Sequence, residues 1–176
     1  MNWLIVTYRL PADPSRHRVA VWRELRRVGA LSLQQATWAV PDRADFAESV
    51  ARAVALVERA GGECVVFEAK PRGEEAEGRL RQLFTAERED EWSEFLSECD
   101  KFDREIDKEI RIEKFTAAEL DEEEQNLERL RRWFRDLRTR DVFLAPSQQE
   151  AERRLKGCVE ILEDFAEQVF ERQGGR

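Results

Sequence analysis

Residues 5–25, IVTYRLPADPSRHRVAVWREL, pass from strand to helix within one short turn. Read backward, the run becomes NWLIVTYRL (2–10), bulky and β-branched, ending at Pro11, which is the pattern of a buried strand. LPADP is a turn, and Ser15 has the side chain of a helix N-cap. Beyond it Val19, Trp22, Leu25 and Val28 recur every three residues and are expected to form one apolar face, with Gly29 as the stop. The stretch therefore reads as a β-α unit with Arg9 at the end of its strand and arginines along its helix.

Working outward, ALSLQQATWAVPD (30–42) offers two short strands around a turn near Gln34 and Gln35, the second covering 36–40 before Pro41. Asp42 or Asp45 is placed to cap a second helix, whose apolar stripe is Phe46, Val50, Ala53, Val54 and Val57 and whose end is Gly61-Gly62. ECVVFEAK (63–70) is a fourth strand. The order β-α-β-β-α-β within residues 2–70 is the split βαβ, ferredoxin-like pattern, with both helices on one face of an antiparallel sheet.

After KPRGEE the strand signals nearly vanish. Residues 74–84 and 89–112 read as helices, the second with Trp92, Phe95, Leu96, Cys99, Phe102, Ile106 and Ile110 on one side. FTAAEL (115–120) is a helix start, with Thr116 and Glu119 as a capping box and Phe115 and Leu120 at staple spacing. That helix turns Leu127, Leu130, Phe134 and Leu137 inward and breaks around DVFLAP. Ser147 and Glu150 form a second capping box before a helix striped with Ala151, Leu155, Cys158, Leu162, Phe165 and Val169. The expected protein is α+β: a ferredoxin-like domain over 1–71, then an antiparallel helical bundle over 74–174.

Composition narrows the function. Of 176 residues, 39% are charged, and the net charge of −8 is uneven. Residues 1–71 carry 10 Lys/Arg and 8 Asp/Glu, whereas 72–176 carry 20 and 30. A weakly basic front and an acidic back exclude wholesale coating of nucleic acid but leave room for a local basic patch. Cys64, Cys99 and Cys158 are scattered, no CxxC occurs, and His17 is the lone histidine, so neither a structural zinc site nor a disulfide scaffold is expected. The N-terminal apolar run is too short to span a membrane and lacks a basic flank, so a cytoplasmic location is expected.

No catalytic motif is present: there is no GxSxG, P-loop, GxGxxG or HExxH. His17 reads as a surface residue of a basic helix rather than a proton shuttle, and the cysteines as small core residues. Asp100, Asp103 and Asp107 share a helical face, but Lys101, Arg104 and Lys108 beside them favour a salt-bridged surface over a cation site. DEEEQ (121–125) sits where the helix dipole favours acids. No catalytic residue, metal or cofactor is expected.

The arginines stand out. ERLRRWFRDLRTRD (128–141) sets Arg131, Arg135 and Arg138 on one face, flanked by Arg132 and Arg140. Close guanidiniums need acidic neighbours or a bound anion, and either pairing with helix 89–112 or an oxyanion site would satisfy them. On the first helix Arg16, Arg23 and Arg27 follow i, i+7, i+11 along one side, with Arg18 beside them.

WLIVTYRLP followed by RVAVWRELRRVGALSLQQATWAVPD resembles the N-terminal region of ChrB-type chromate resistance proteins. EFLSECDKFDREIDKE, KFTAAELDEEEQNLERLRRWFRDLRTRDVF and AERRLKGCVEILEDFAEQVF resemble the helical remainder of the same region. The resemblance implies a chromate-responsive, DNA-binding transcriptional regulator of a chromate efflux operon. On that reading Arg16, Arg18, Arg23 and Arg27 are the DNA contacts, Arg131, Arg135, Arg138 and Arg140 hold chromate or a similar oxyanion, and a homodimer is a further expectation. The front domain is also similar to the unit shared by Cas2-type nucleases and PaaX-type repressors. In those nucleases an Asp ends the first strand; this chain has Arg9 there, and Asp13 lies in the turn, a poor substitute for a metal ligand on the strand. A Cas2-like metal-dependent nuclease and a non-catalytic interaction module are the alternatives.

Overall fold

Trp3–Arg9 forms the strand that organises everything around it, β1. The computed structural model describes residues 1–174. After β1 come α1 (Ser15–Val28), β2 (Leu31–Gln34), β3 (Thr37–Pro41), α2 (Ala44–Arg59) and β4 (Glu63–Ala69). Then follow three long helices, α3 (Gly73–Arg111), α4 (Ala117–Arg140) and α5 (Gln148–Gly174). The protein is α+β, with one four-stranded antiparallel sheet in the order β2-β3-β1-β4. Among the described residues no helix is long and apolar enough to cross a membrane.

The chain divides into two compact units, Met1–Glu87 and Arg88–Arg176, and the division falls inside α3. In the first, β1 is central because it is the most apolar strand: Trp3, Leu4 and Val6 are buried on it, as are Trp38, Ala39 and Val40 on β3. Register sets Val6 opposite Trp38 and Leu4 opposite Val40, so these four share a face. The two edges differ. β2 is four residues long with an irregular register between Ser32 and Gln34, whereas β4 pairs with β1 over its whole length without a break.

Local expectations fail here in three places. The first turn of α1 is capped by Pro14, and Ser15 is already helical, so its hydroxyl lies past the capping position. Val19 and Trp22 are exposed, and the buried face is Val21, Leu25 and Val28. A strict three-residue repeat drifts about 60° per step around a helix of about 3.6 residues per turn, so four such positions cannot stay on one face. Neither Asp42 nor Asp45 caps α2; the N-cap is Arg43, whose Nε donates to Asp45 Oδ1 at 3.3 Å. The expected helix ends hold: Gly29 takes the left-handed conformation after α1 at φ 81°, and Gly61 does so after α2 at φ 72°. At Gly62 a Cβ would stand 2.5 Å from the Arg9 carbonyl oxygen, so only glycine lets β4 start against the end of β1.

The segment expected as two helices, 74–84 and 89–112, is one unbroken helix, because nothing between Phe84 and Glu89 breaks it. Its first part belongs to the first unit, where Phe84 is fully buried edge-on to Trp3 and Phe46. In the second unit the rest of α3 packs with α4 and α5 around Trp92, Phe95, Phe134 and Phe165. Consecutive helices run antiparallel: Glu91 meets Arg140, Arg154 meets Asp100, and Phe115 meets Phe165. Thr116 caps α4 as read, its hydroxyl accepting from Glu119 N at 3.3 Å. Ser147 forms no such box with Glu150. Its N–H and hydroxyl both donate to Glu89, at 2.8 and 2.6 Å, and Glu150 pairs with Arg153 instead.

Glu123 is an acid inside this unit, nearly fully buried on α4. Burial pushes its carboxyl above the ordinary range; the Asn126 side chain at 3.2 Å pulls against this, and Glu105, Glu122 and Glu109 add to the rise. A raised carboxyl binds its proton more tightly in the fold than unfolded. Its contribution is complete below the ordinary pKa of 4.5 and fades as pH climbs through the raised value. Glu123→Gln is therefore expected to melt a few degrees higher than wild type near neutral pH, where roughly 1 kcal/mol corresponds to about 2–4 °C at this chain length. The difference should close as pH falls toward 4.5; thermal melts across that range decide it, and an equal or lower melting temperature at neutral pH would refute the effect.

Candidate functional site

The two arginine sets, on α1 and on α4, meet different surroundings. On α1, Arg16, Arg18 and Arg23 are exposed and enter no ion pair among the described residues, while Arg27 grips Glu24 through Nε at 3.1 Å and Nη2 at 2.6 Å. Arg52 of α2 reaches the same carboxylate at 3.3 Å. The Arg27 hydrogen bond, with Arg52 second, holds Glu24 below the usual carboxylate range. Glu24 thus ties α1 to α2 and partly neutralises Arg27. Helical periodicity puts Arg16, Arg23 and Arg27 on the side of α1 opposite its buried face.

On α4 three of the six arginines, Arg131, Arg135 and Arg140, enter ion pairs among the described residues. Arg131 and Arg135 both lean on Glu128, at 3.8 and 3.4 Å. Arg140 is half-buried and holds Glu91 with two parallel bonds of 3.1 Å, and Arg88 approaches the same carboxylate at 2.8 Å. Arg138 is exposed and makes no ion pair among the described residues. The acids Asp100 and Asp103 clamp Arg154 of α5 at 2.8 and 2.7 Å. Beside them Cys158 Sγ donates to Asp103 Oδ1 at 3.4 Å, and the Cys158 thiol is pushed upward by Cys99, by burial and by that carboxylate.

A further hollow has no counterpart in the local sequence pattern. A cleft of about 720 Å³ opens between the end of β1, the outer side of α1 and the β2–β3 turn. Its aromatic walls are Tyr8, Trp22 and Trp38, and Arg9, Arg18 and Arg23 stand around them with Gln34 and Gln35 on the turn. Tyr8 and Trp38 share a sheet face, since Val6 is opposite Trp38. Trp22 is 49% exposed, with the Arg26 guanidinium 5.6 Å from its ring centroid. Burial raises the Tyr8 phenol above its ordinary range, and the Trp38 indole opposes that rise. The Trp38 Nε1–H is buried and directed at the Tyr8 hydroxyl. Ala36, in the turn, is held at φ 59°, a conformation that costs a non-glycine residue about 1 kcal/mol; its carbonyl accepts from Tyr8 N at 3.1 Å. At the rim Arg9 Nη2 reaches Glu63 Oε2 at 2.8 Å, which neutralises it.

Fold and site define a two-unit α+β protein with three exposed arginines, Arg16, Arg18 and Arg23, on one helix of the sheet unit beside an aromatic cleft, none of them in an ion pair among the described residues. Residues 18–176 match the family described as protein ChrB, N-terminal, and the chain belongs to that family. Membership ties it to chromate resistance. The match takes in Arg18, Arg23 and Arg27 and all the arginines of α4, and begins after Arg16. No curated protein matches the chain.

Proposed function

We propose that the protein is a non-catalytic, chromate-responsive DNA-binding regulator of a chromate efflux operon, built on a ferredoxin-like front unit. The split β-α-β order of residues 3–69 and the central pairing of β1 with β3 and β4 support the fold assignment. One observation carries the function: Arg16, Arg18 and Arg23 stand exposed on a single helix of the less acidic half of the chain, with no ion pair among the described residues. Unpaired guanidiniums in the less acidic half of the chain suit phosphate oxygens. Arg27 plays a lesser part, because Glu24 already holds it. For the effector, Arg131 and Arg135 share the single carboxylate of Glu128, and Arg138 adds an unpaired donor one turn on. That leaves surplus positive charge for a small dianion, whereas Arg140 is committed to Glu91.

With a net charge of −8, the chain is repelled by DNA unless contact is focused. Anisotropy of a promoter duplex at several salt concentrations tests this. Three phosphate contacts give a logarithmic salt slope near −3, at about 0.9 per contact. Arg16→Ala with Arg23→Ala should weaken binding about tenfold or more and flatten the slope by about two, while Arg27→Ala changes it less. Chromate should raise the melting temperature of the wild type but not of an Arg135→Ala, Arg138→Ala chain. Absence of duplex binding at low salt would sink the regulatory reading. Cleavage of DNA with Mg²⁺ that disappears in Asp13→Ala would install the nuclease in its place.

A further inference from the structure

The cleft on the sheet unit has a composition that phosphate contacts alone do not explain. A small inorganic dianion needs convergent donors and gains nothing from aromatic walls. Here three rings, Tyr8, Trp22 and Trp38, line one hollow, and Trp22 is half-exposed with Arg26 on its ring, so part of its surface is open to stacking. The volume of about 720 Å³ falls within the range of small-ligand sites. Arg18 and Arg23 line the cleft and enter no ion pair among the described residues. The amides of Gln34 and Gln35 lie along the turn. A strained non-glycine turn residue, Ala36, is kept in place against the cleft.

From these features we infer that the cleft between β1, α1 and the β2–β3 turn binds a nucleotide, its base stacked on Trp22 and its phosphate on Arg18 and Arg23. Stacking uses the π-face that every base possesses, and the base edge supplies partners for the glutamine amides. A phosphorylated tyrosine would match the ring and the phosphate but leave those polar groups unmet. The inference deepens the DNA-binding reading and rests on it for the choice of a nucleotide, since Arg18 and Arg23 belong to both. Duplex bases are stacked and inaccessible, so the occupant is a free mononucleotide or an unpaired nucleotide of a strand; both offer the same chemistry.

Tryptophan fluorescence and titration calorimetry on the full chain at low salt would test it, using the nucleoside 5′-monophosphates, a short single strand, the promoter duplex, inorganic phosphate and phosphotyrosine. The expected result is quenching with saturable heat for mononucleotides or for the single strand; the first alone identifies a free ligand, and the second alone a strand. Trp22→Ala and Arg18→Ala, with unchanged circular dichroism, should each weaken that binding about tenfold, and Trp22→Phe should restore most of it. The inference is overturned if no nucleotide or single strand binds, if inorganic phosphate or phosphotyrosine binds as tightly, or if both variants behave as wild type. Duplex binding without any nucleotide binding would remove this inference and leave the regulator standing. Nucleotide binding without duplex binding would do the reverse.

Discussion

Replacing Asp141 with alanine is expected to destabilise the helical unit by roughly 3 kcal/mol, because two buried donors lose their acceptor together. Asp141 follows the last turn of α4 and is almost completely buried. Its carboxylate accepts the Trp92 indole N–H at 2.9 Å and the backbone N–H of Ala145 at 3.1 Å to each oxygen. Bonds to a charged acceptor are the stronger kind, and an orphaned buried N–H costs about 1–3 kcal/mol. The loop 141–147 depends on the same residue, since Ala145 is the point where it returns to the core. Asp141→Asn keeps one acceptor oxygen and should lose about half as much. Urea unfolding followed through tryptophan emission measures both. A loss below about 1 kcal/mol for the alanine variant would mean that water replaces the carboxylate at both donors.

Phe84→Ala should cost the sheet unit about 3–5 kcal/mol, the usual range for emptying a buried phenylalanine site. Phe84 is 0% exposed, and its ring meets Trp3 at 5.9 Å and Phe46 at 6.2 Å, both edge-on. These are the large residues that close the end of the sheet where β1 and α2 begin. The first unit is therefore expected to need α3 as far as Glu87. A fragment of residues 1–87 should melt cooperatively, whereas one of residues 1–71 should lose its transition, having uncovered Trp3 and Phe46. Equal, sharp melting of the two fragments would instead place the boundary at the end of β4.

The elements were largely legible because their signals are local. Thr116 with Glu119, Gly29 and Gly61 work through neighbours three or four residues away, and the stripes of α4 and α5 keep true helical spacing. Val19 and Trp22 misled because spacing of three looks helical over two steps and fails over four. Within the single helix α3 a pause in apolar residues resembles an end, although only a breaker or a cap makes one. Ser147 left its expected box for Glu89, a partner 58 residues away that no local rule selects. The cleft was invisible for the same reason. Tyr8, Trp22 and Trp38 have no common spacing, and only the register of β1 with β3 and the outward turn of α1 gather them. A tryptophan with arginines four residues to either side, Arg18 and Arg26, was the one signal available.

The uneven edges of the sheet bear on how the protein behaves in concentrated solution. β2 is too short and too irregular to template another strand, but β4 is seven residues long, unbroken, and shows Val65, Val66 and Phe67 to solvent. Its gatekeeper is Glu68, since Glu63 is paired with Arg9, and behind it stands the acidic charge of the whole chain. That charge, rather than the shape of the edge, is what opposes extension of one copy's sheet by the next. The guard is a function of acidity: near the isoelectric point of about 5.0 the repulsion disappears while the strand remains open.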